Sequence, residues 1–87
     1  MADVVIYSTM FCPYCHRAKA LLKAKGVDFT DIDVMMDPAK REEMTRVSGG
    51  GRTVPQILID GTPIGGCDEL HALDRQGRLD QLLGIAA

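Results

Sequence analysis

The sequence alternates short apolar runs of strand length with helical segments, and this alternation restricts the chain to α/β folds. Val4–Tyr7 is a β-branched and aromatic run that indicates a first strand. The segment from Pro13 to about Lys25 is rich in Ala, Leu, Lys and Arg and ends at Gly26, as a helix commonly does. Its apolar residues recur at three- and four-residue intervals and form one stripe, consisting of Ala18, Leu21 and Leu22.

A second strand and a second helix follow in the same order. Val27–Val34 alternates apolar residues imperfectly with acidic residues and Thr, and we predict a strand over this range. Asp37 suits the N-cap of a helix and Pro38 suits its first position, so a helix is predicted from there to about Val47. The glycine-rich run 48–51 then ends this helix.

The last third of the chain changes to a hairpin pattern. Gln56–Ile59 and Thr62–Ile64 are strand-length runs separated by Asp60-Gly61, a dipeptide typical of two-residue hairpin turns. A helix is predicted from Cys67 to about Arg75, and residues 78–83 are expected to add helical turns. The order β-α-β-α-β-β-α predicts one α/β domain over residues 1–87, a mixed four-stranded sheet with helices on both faces.

Composition narrows the possible functions. With 46% apolar and 25% charged residues the chain has the balance of a globular domain, and 87 residues suffice for one. A net charge of −2 and the lack of Trp predict neither a nucleic-acid nor a membrane partner. The first ten residues carry Asp3, no basic region and only a short apolar run, so neither a signal peptide nor a membrane span is predicted. We therefore expect a cytoplasmic protein.

Cys12-Pro13-Tyr14-Cys15 lies directly after the first predicted strand, at the start of the first predicted helix. In a cytosolic protein, C-x-x-C beside a βαβ pattern is typical of a redox motif. Cys12 falls at the N-cap, where unpaired backbone N–H groups favour its thiolate, the attacking species in thiol chemistry. Cys15, one turn further on, is expected to be more buried and to resolve a mixed disulfide formed on Cys12.

Three other interpretations use the same cysteines. A structural disulfide between Cys12 and Cys15 is one, although such bonds are rare in the cytosol and so short a loop gains little stability. With His16 the segment matches C-x-x-C-H, the attachment motif of c-type haem, which would require export and a second axial ligand. A zinc or iron–sulfur site would combine Cys12, Cys15, Cys67 and a histidine, and a cluster shared between two chains stays open.

Three segments together resemble the glutaredoxin family, in particular its short bacterial dithiol members: Cys12-Pro13-Tyr14-Cys15, Thr53-Val54-Pro55 and Gly65-Gly66-Cys67-Asp68. The resemblance spans nearly the whole chain and implies a thioredoxin-like fold. It implies a glutathione-dependent oxidoreductase that reduces protein–glutathione mixed disulfides and protein disulfides. Cys12 would be the nucleophile and Cys15 the resolving thiol. Glutathione would be a co-substrate, with no tightly bound cofactor and no metal.

The resemblance also implies a glutathione site, formed by Tyr14, Arg52, Thr53, Val54, Pro55, Gly66, Cys67 and Asp68. Pro55 would follow a cis peptide bond, which turns the Val54 backbone toward the cysteinyl unit of glutathione. The start of the last helix would hold the γ-glutamyl carboxylate, and the Asp68 side chain its ammonium group. Tyr14 would flank the bound thiol.

One position departs from the family pattern. Many relatives have a lysine three residues before the first cysteine, where it meets the glycine carboxylate of glutathione, but this chain has Thr9. Arg52 is the candidate replacement. A monomer acting on glutathionylated or disulfide-bearing proteins is expected. The alternatives are an iron–sulfur carrier bridged by glutathione and a thioredoxin-like reductant that does not use glutathione.

Overall fold

Eight elements follow one another in residues 2–85, the part of the chain that the computed structural model describes. They are β1 (Val4–Ser8), α1 (Pro13–Ala24), β2 (Thr30–Asp33), α2 (Pro38–Val47), β3 (Gln56–Ile59), β4 (Thr62–Gly65), α3 (Cys67–Arg75) and α4 (Leu79–Leu83). The predicted α/β class is confirmed, and α4 provides the helical turns expected near the end of the chain.

The four strands form one mixed sheet in the order β2-β1-β3-β4. β1 runs parallel to β2 and antiparallel to β3, and β4 returns antiparallel to β3. Between β3 and β4, Asp60 and Gly61 have φ values of 52° and 79°. Positive φ at both central residues is what a type I′ turn requires, so the predicted two-residue hairpin is confirmed.

Helices cover both faces of the sheet because successive residues of a strand point in opposite directions. On one face, Val4 and Ile6 pack with buried residues of α1, α3 and α4, among them Leu22, Leu70 and Leu83. On the other face, a smaller cluster unites strand and helix residues, namely Tyr7, Leu58, Val34 and Met44. The first cluster therefore fixes α1, whose first residue follows Cys12.

β2 is shorter than the predicted strand Val27–Val34. At its start, Gly26 adopts a φ of 73° and ends α1, while the Val27 N–H donates to the Leu22 carbonyl (3.4 Å). This is the Schellman arrangement at a helix end. Val27 thus caps α1 and buries its side chain, and the strand β2 pairs with β1 over residues 30–33. The predicted range is wrong at its far end too, where Val34 is buried beyond the strand.

The start of α2 follows the predicted capping. The Asp37 carboxylate accepts a hydrogen bond from the Lys40 N–H (3.0 Å), and Pro38 is the first helical residue. The N-cap satisfies a backbone donor that would otherwise lack a partner. Across residues 2–85, no helix has the length and apolar character needed to cross a membrane.

Candidate active site

Cys12 lies at the N-cap of α1, as predicted. Its φ of −101° and ψ of 110° are not helical, so the chain turns into the helix directly after it. The Cys15 N–H donates to the Cys12 sulfur at 3.2 Å, and the Cys12 thiol lies 3.7 Å from the Val54 carbonyl oxygen. A donor of the first helical turn directed at the sulfur stabilises negative charge on it. Cys12 is half-buried and can be reached from solvent.

Cys15 is fully buried, in agreement with the prediction. Burial raises the pKa of its thiol to about 12, and a hydrogen bond with Cys12 acts in the same direction. A backbone hydrogen bond of Thr9 and the charge of Lys19 lower this pKa by smaller amounts. At neutral pH Cys15 is therefore a protonated thiol behind the exposed sulfur of Cys12.

The segment facing Cys12 contains the cis peptide bond that the resemblance implies, between Val54 and Pro55. Pro55 is buried, whereas Val54 is half-buried. Gly66 approaches Pro55 so closely that a Cβ atom at this position would lie 3.2 Å from the Pro55 carbonyl oxygen. The backbone leading into α3 therefore contacts Pro55 across the site.

A cavity of about 360 Å³ lies between these segments, a volume within the range that small-molecule ligands occupy. It is lined by Tyr14, Thr53, Val54, Pro55, Gly66, Cys67, Asp68 and Glu69. Seven of these eight residues are those expected for glutathione. The first turn of α3 opens into the cavity with the exposed Asp68 side chain, so backbone donors and a carboxylate lie close together.

Arg52 lies apart from the other predicted site residues. It is exposed and lines a neighbouring groove with Arg41, Glu42 and Thr45. Before it, the chain turns at residues 48–50, and the Gly51 N–H donates to the Ser48 hydroxyl at 2.9 Å. Although Arg52 directly precedes Thr53 in the chain, it thus lies outside the cavity that Thr53 lines.

Two contacts of the site were missing from the sequence interpretation. Glu69 lines the cavity, and its carboxylate accepts a hydrogen bond from the Gly66 N–H at 2.7 Å. A glutamate three residues after an N-cap is half of a capping box, so this spacing could have revealed it. His16 is exposed as expected, but its Nε2 also contacts the Met10 carbonyl oxygen at 2.7 Å. This contact holds the loop that leads to Cys12.

The third cysteine, Cys67, is buried at the first position of α3, and burial raises the pKa of its thiol. All three cysteines are free thiols. Within residues 2–85, no three His, Cys, Asp or Glu side chains are grouped so that they could hold a metal ion. The site is thus a thiol pair next to a cavity that presents backbone donors, a carboxylate and a tyrosine.

Comparisons with known proteins agree on one family. The family model named Glutaredoxin matches residues 4–64, which is more than half of the chain. Glutaredoxin 3 of Escherichia coli is 59% identical over 83 residues, covering 95% of this chain and 99% of the relative. The solution structure of glutaredoxin from Brucella melitensis is 49% identical with a TM-score of 0.82, covering 100% of this chain and 96% of that one. The crystal structure of a buckwheat glutaredoxin–glutathione complex is 32% identical with a TM-score of 0.86, covering 98% of this chain and 83% of that one.

Proposed function

Because the chain belongs to the glutaredoxin family and is a glutathione-dependent thiol–disulfide oxidoreductase, we propose that Cys12 is its nucleophile and Cys15 its resolving thiol. One contrast carries this assignment. The Cys12 sulfur is accessible and accepts a hydrogen bond from the first turn of α1, whereas Cys15 is buried with a raised pKa. Attack requires a thiolate, so the accessible sulfur acts first.

The proposed reaction is thiol–disulfide exchange in two steps. The Cys12 thiolate attacks the glutathione sulfur of a protein–glutathione mixed disulfide, and the protein leaves as a thiolate that takes up a proton. The thiolate of a second glutathione then attacks the glutathione sulfur bound to Cys12, forming glutathione disulfide and restoring the Cys12 thiolate. With a protein disulfide as substrate, Cys12 attacks first and Cys15 displaces the protein.

We place glutathione in the cavity beside Cys12. Its cysteinyl unit pairs with the Val54 backbone as an added strand, which keeps its sulfur near Cys12. The backbone N–H groups of Cys67 and Asp68 bind the γ-glutamyl carboxylate, and the Asp68 carboxylate binds the ammonium group. The volume of the cavity and the polar groups that line it support this placement. The remaining lining positions, Tyr14, Thr53, Pro55 and Gly66, shape the cavity around the bound thiol.

The glycine carboxylate of glutathione is assigned to Arg52. Thr9 supplies no positive charge at the position where many relatives have a lysine. Arg52 is exposed, directly precedes Thr53 and lines the adjoining groove. The arginine side chain is long enough to turn toward a carboxylate at the rim of the cavity, where two parallel hydrogen bonds can form.

We further propose that residues 1–87 act as one monomeric domain in the cytoplasm. Its partners are glutathione and proteins that carry glutathionylated or disulfide-bonded cysteines, with no nucleic acid, membrane, metal or tightly bound cofactor required. Family membership does not favour the alternative roles of iron–sulfur carrier or glutathione-independent reductant.

The test is the glutathione-dependent reduction of a glutathionylated peptide by wild type, Cys12→Ser and Cys15→Ser. We expect Cys12→Ser to abolish the activity and Cys15→Ser to retain it, because the two-step reaction on a mixed disulfide does not use Cys15. Reduction of a protein disulfide in the absence of glutathione should require both cysteines. Activity in Cys12→Ser would contradict the assignment.

A further inference from the structure

Cys15 has to generate a negative charge inside the protein when it resolves a mixed disulfide. It is fully buried, and burial raises the pKa of its thiol to about 12. An isolated thiolate in an apolar environment is strongly disfavoured. Some group near Cys15 must therefore compensate the charge while the disulfide closes.

Lys19 is placed to do so. It follows Cys15 by four residues on α1, so the two side chains lie on the same side of the helix. The Lys19 ammonium contacts the Asp31 carboxylate of β2 at 2.5 Å, and its side chain is only 17% exposed. A cation with so little exposure is less screened by solvent than a surface lysine.

Asp31 fixes this cation relative to Cys15. Its second oxygen accepts a hydrogen bond from the Ser8 hydroxyl at 2.5 Å, and Ser8 is buried at the end of β1. The next residue, Thr9, forms the backbone hydrogen bond that lowers the pKa of Cys15. The ion pair and the thiol are therefore tied to the same end of β1.

Other titratable and charged side chains lie close to Lys19. A cavity of about 170 Å³ is lined by Ser8, Met10, His16, Lys19, Asp31 and Asp33, so α1 contributes His16 and β2 contributes the two aspartates. Of these groups, Lys19 is the one whose charge lowers the pKa of Cys15. By contrast, Lys25 binds Asp74 and Asp80 at the other end of α1 and serves to hold α3 and α4.

We propose that Lys19, held in place by Asp31, is the positive charge that stabilises the Cys15 thiolate while it closes the disulfide with Cys12. The Cys15 thiol releases its proton, its sulfur forms a bond with the Cys12 sulfur, and the bond from Cys12 to the substrate sulfur breaks. The departing thiolate takes up one proton, so no other oxidant or reductant enters. Asp31 acts through Lys19 and is a positioning residue.

This inference rests on the proposed function, and a single-turnover experiment separates the two. Reduced protein is mixed with oxidised glutathione, so that Cys12 acquires glutathione and Cys15 then displaces it. Acid quenching and mass spectrometry follow the glutathione adduct and the closed disulfide over time. The variants are Lys19→Met, Lys19→Arg and Asp31→Asn, with Lys23→Met as the matched control, because Lys23 is an exposed lysine on the same helix.

We expect the adduct to accumulate in Lys19→Met because losing the charge raises the pKa of Cys15 and slows closure, by about three- to fourfold for each unit of that rise after the gain in nucleophilicity. Asp31→Asn should slow closure in the same direction. Lys19→Arg keeps the charge and should restore closure to within about twofold of wild type, as should the control Lys23→Met. Unchanged closure in both Lys19→Met and Asp31→Asn would overturn the proposal, as would Lys19→Arg closing as slowly as Lys19→Met. If wild type formed no adduct on Cys12, the proposed function itself would fail.

Discussion

Alkylation of the reduced protein at neutral pH is expected to label Cys12 long before Cys15. The two sulfurs are three residues apart, yet Cys12 is half-buried and Cys15 is fully buried. Burial raises the pKa of Cys15 from 9.0 to about 12. Because iodoacetamide reacts with thiolates, the difference in environment should appear directly as a difference in rate.

The pKa of Cys15 sets the size of the effect. A rise of about three units lowers the thiolate fraction at neutral pH by about a thousandfold. The more basic thiolate is more nucleophilic, and a Brønsted coefficient of about 0.4–0.5 recovers part of the loss. The smaller thiolate fraction and the greater nucleophilicity together make Cys15 react roughly 30- to 60-fold more slowly than an unperturbed thiol. The surrounding core excludes the reagent and slows the reaction further.

The assay uses limiting iodoacetamide, with glutathione in the same tube as the reference thiol. Proteolysis and mass spectrometry then give the labelled fraction of each cysteine at several times. Repeating the reaction in denaturant should bring Cys15 close to the reference, which shows that the protection depends on the fold. If native Cys15 reacted within a few-fold of glutathione at pH 7, the argument from burial would be refuted.

Three further predictions address the cavity, the core and the pH dependence of stability. Gly66→Ala should raise the KM for glutathione several-fold, because the new Cβ would lie 3.2 Å from the Pro55 carbonyl oxygen; an unchanged KM in steady-state kinetics would contradict this. Leu22→Ala removes a fully buried side chain and should cost about 2–5 kcal/mol in urea unfolding; a loss under about 1 kcal/mol would mean that the core closes around the gap. The hydrogen bond that the Tyr7 hydroxyl donates to Glu43 (2.7 Å) lowers the pKa of the Glu43 carboxyl below 4.5. The ionised Glu43 therefore stabilises the fold above pH 4.5, and this contribution is lost as the pH falls through the lowered pKa. Glu43→Gln should therefore melt below wild type at pH 7, and the difference should shrink in acid; a gap independent of pH would refute this.

Local signals predicted most of the fold. The N-cap Asp37 and the turn Asp60-Gly61 each act through contacts within a few residues, and both are found where the sequence indicated. The boundaries of β2 depended instead on the end of α1, where Val27 is used for capping. Alternation of apolar residues could not distinguish a residue buried beside a strand from one within it.

In the candidate site too, residues in local motifs were predicted from the sequence, whereas contacts between separate elements were not. Its cysteines, the Val54–Pro55 segment and the start of α3 lie in motifs that the sequence displays. The contact of Lys19 with Asp31 joins α1 to β2, twelve residues apart, and depends on how the helix crosses the sheet. The position of Arg52 in a separate groove likewise depends on the turn before it.

The two outer strands of the sheet also restrict how another polypeptide can join it. β2 carries Asp31 and Asp33, and β4 carries Pro63, which has no N–H to donate. Charges and proline on outer strands discourage pairing between copies of a protein. A protein whose outer strands carry these residues is expected to resist aggregation through its sheet at high concentration. In the proposed reaction, backbone pairing with a substrate is then expected at the segment around Val54, whose carbonyl oxygen lies 3.7 Å from the Cys12 sulfur.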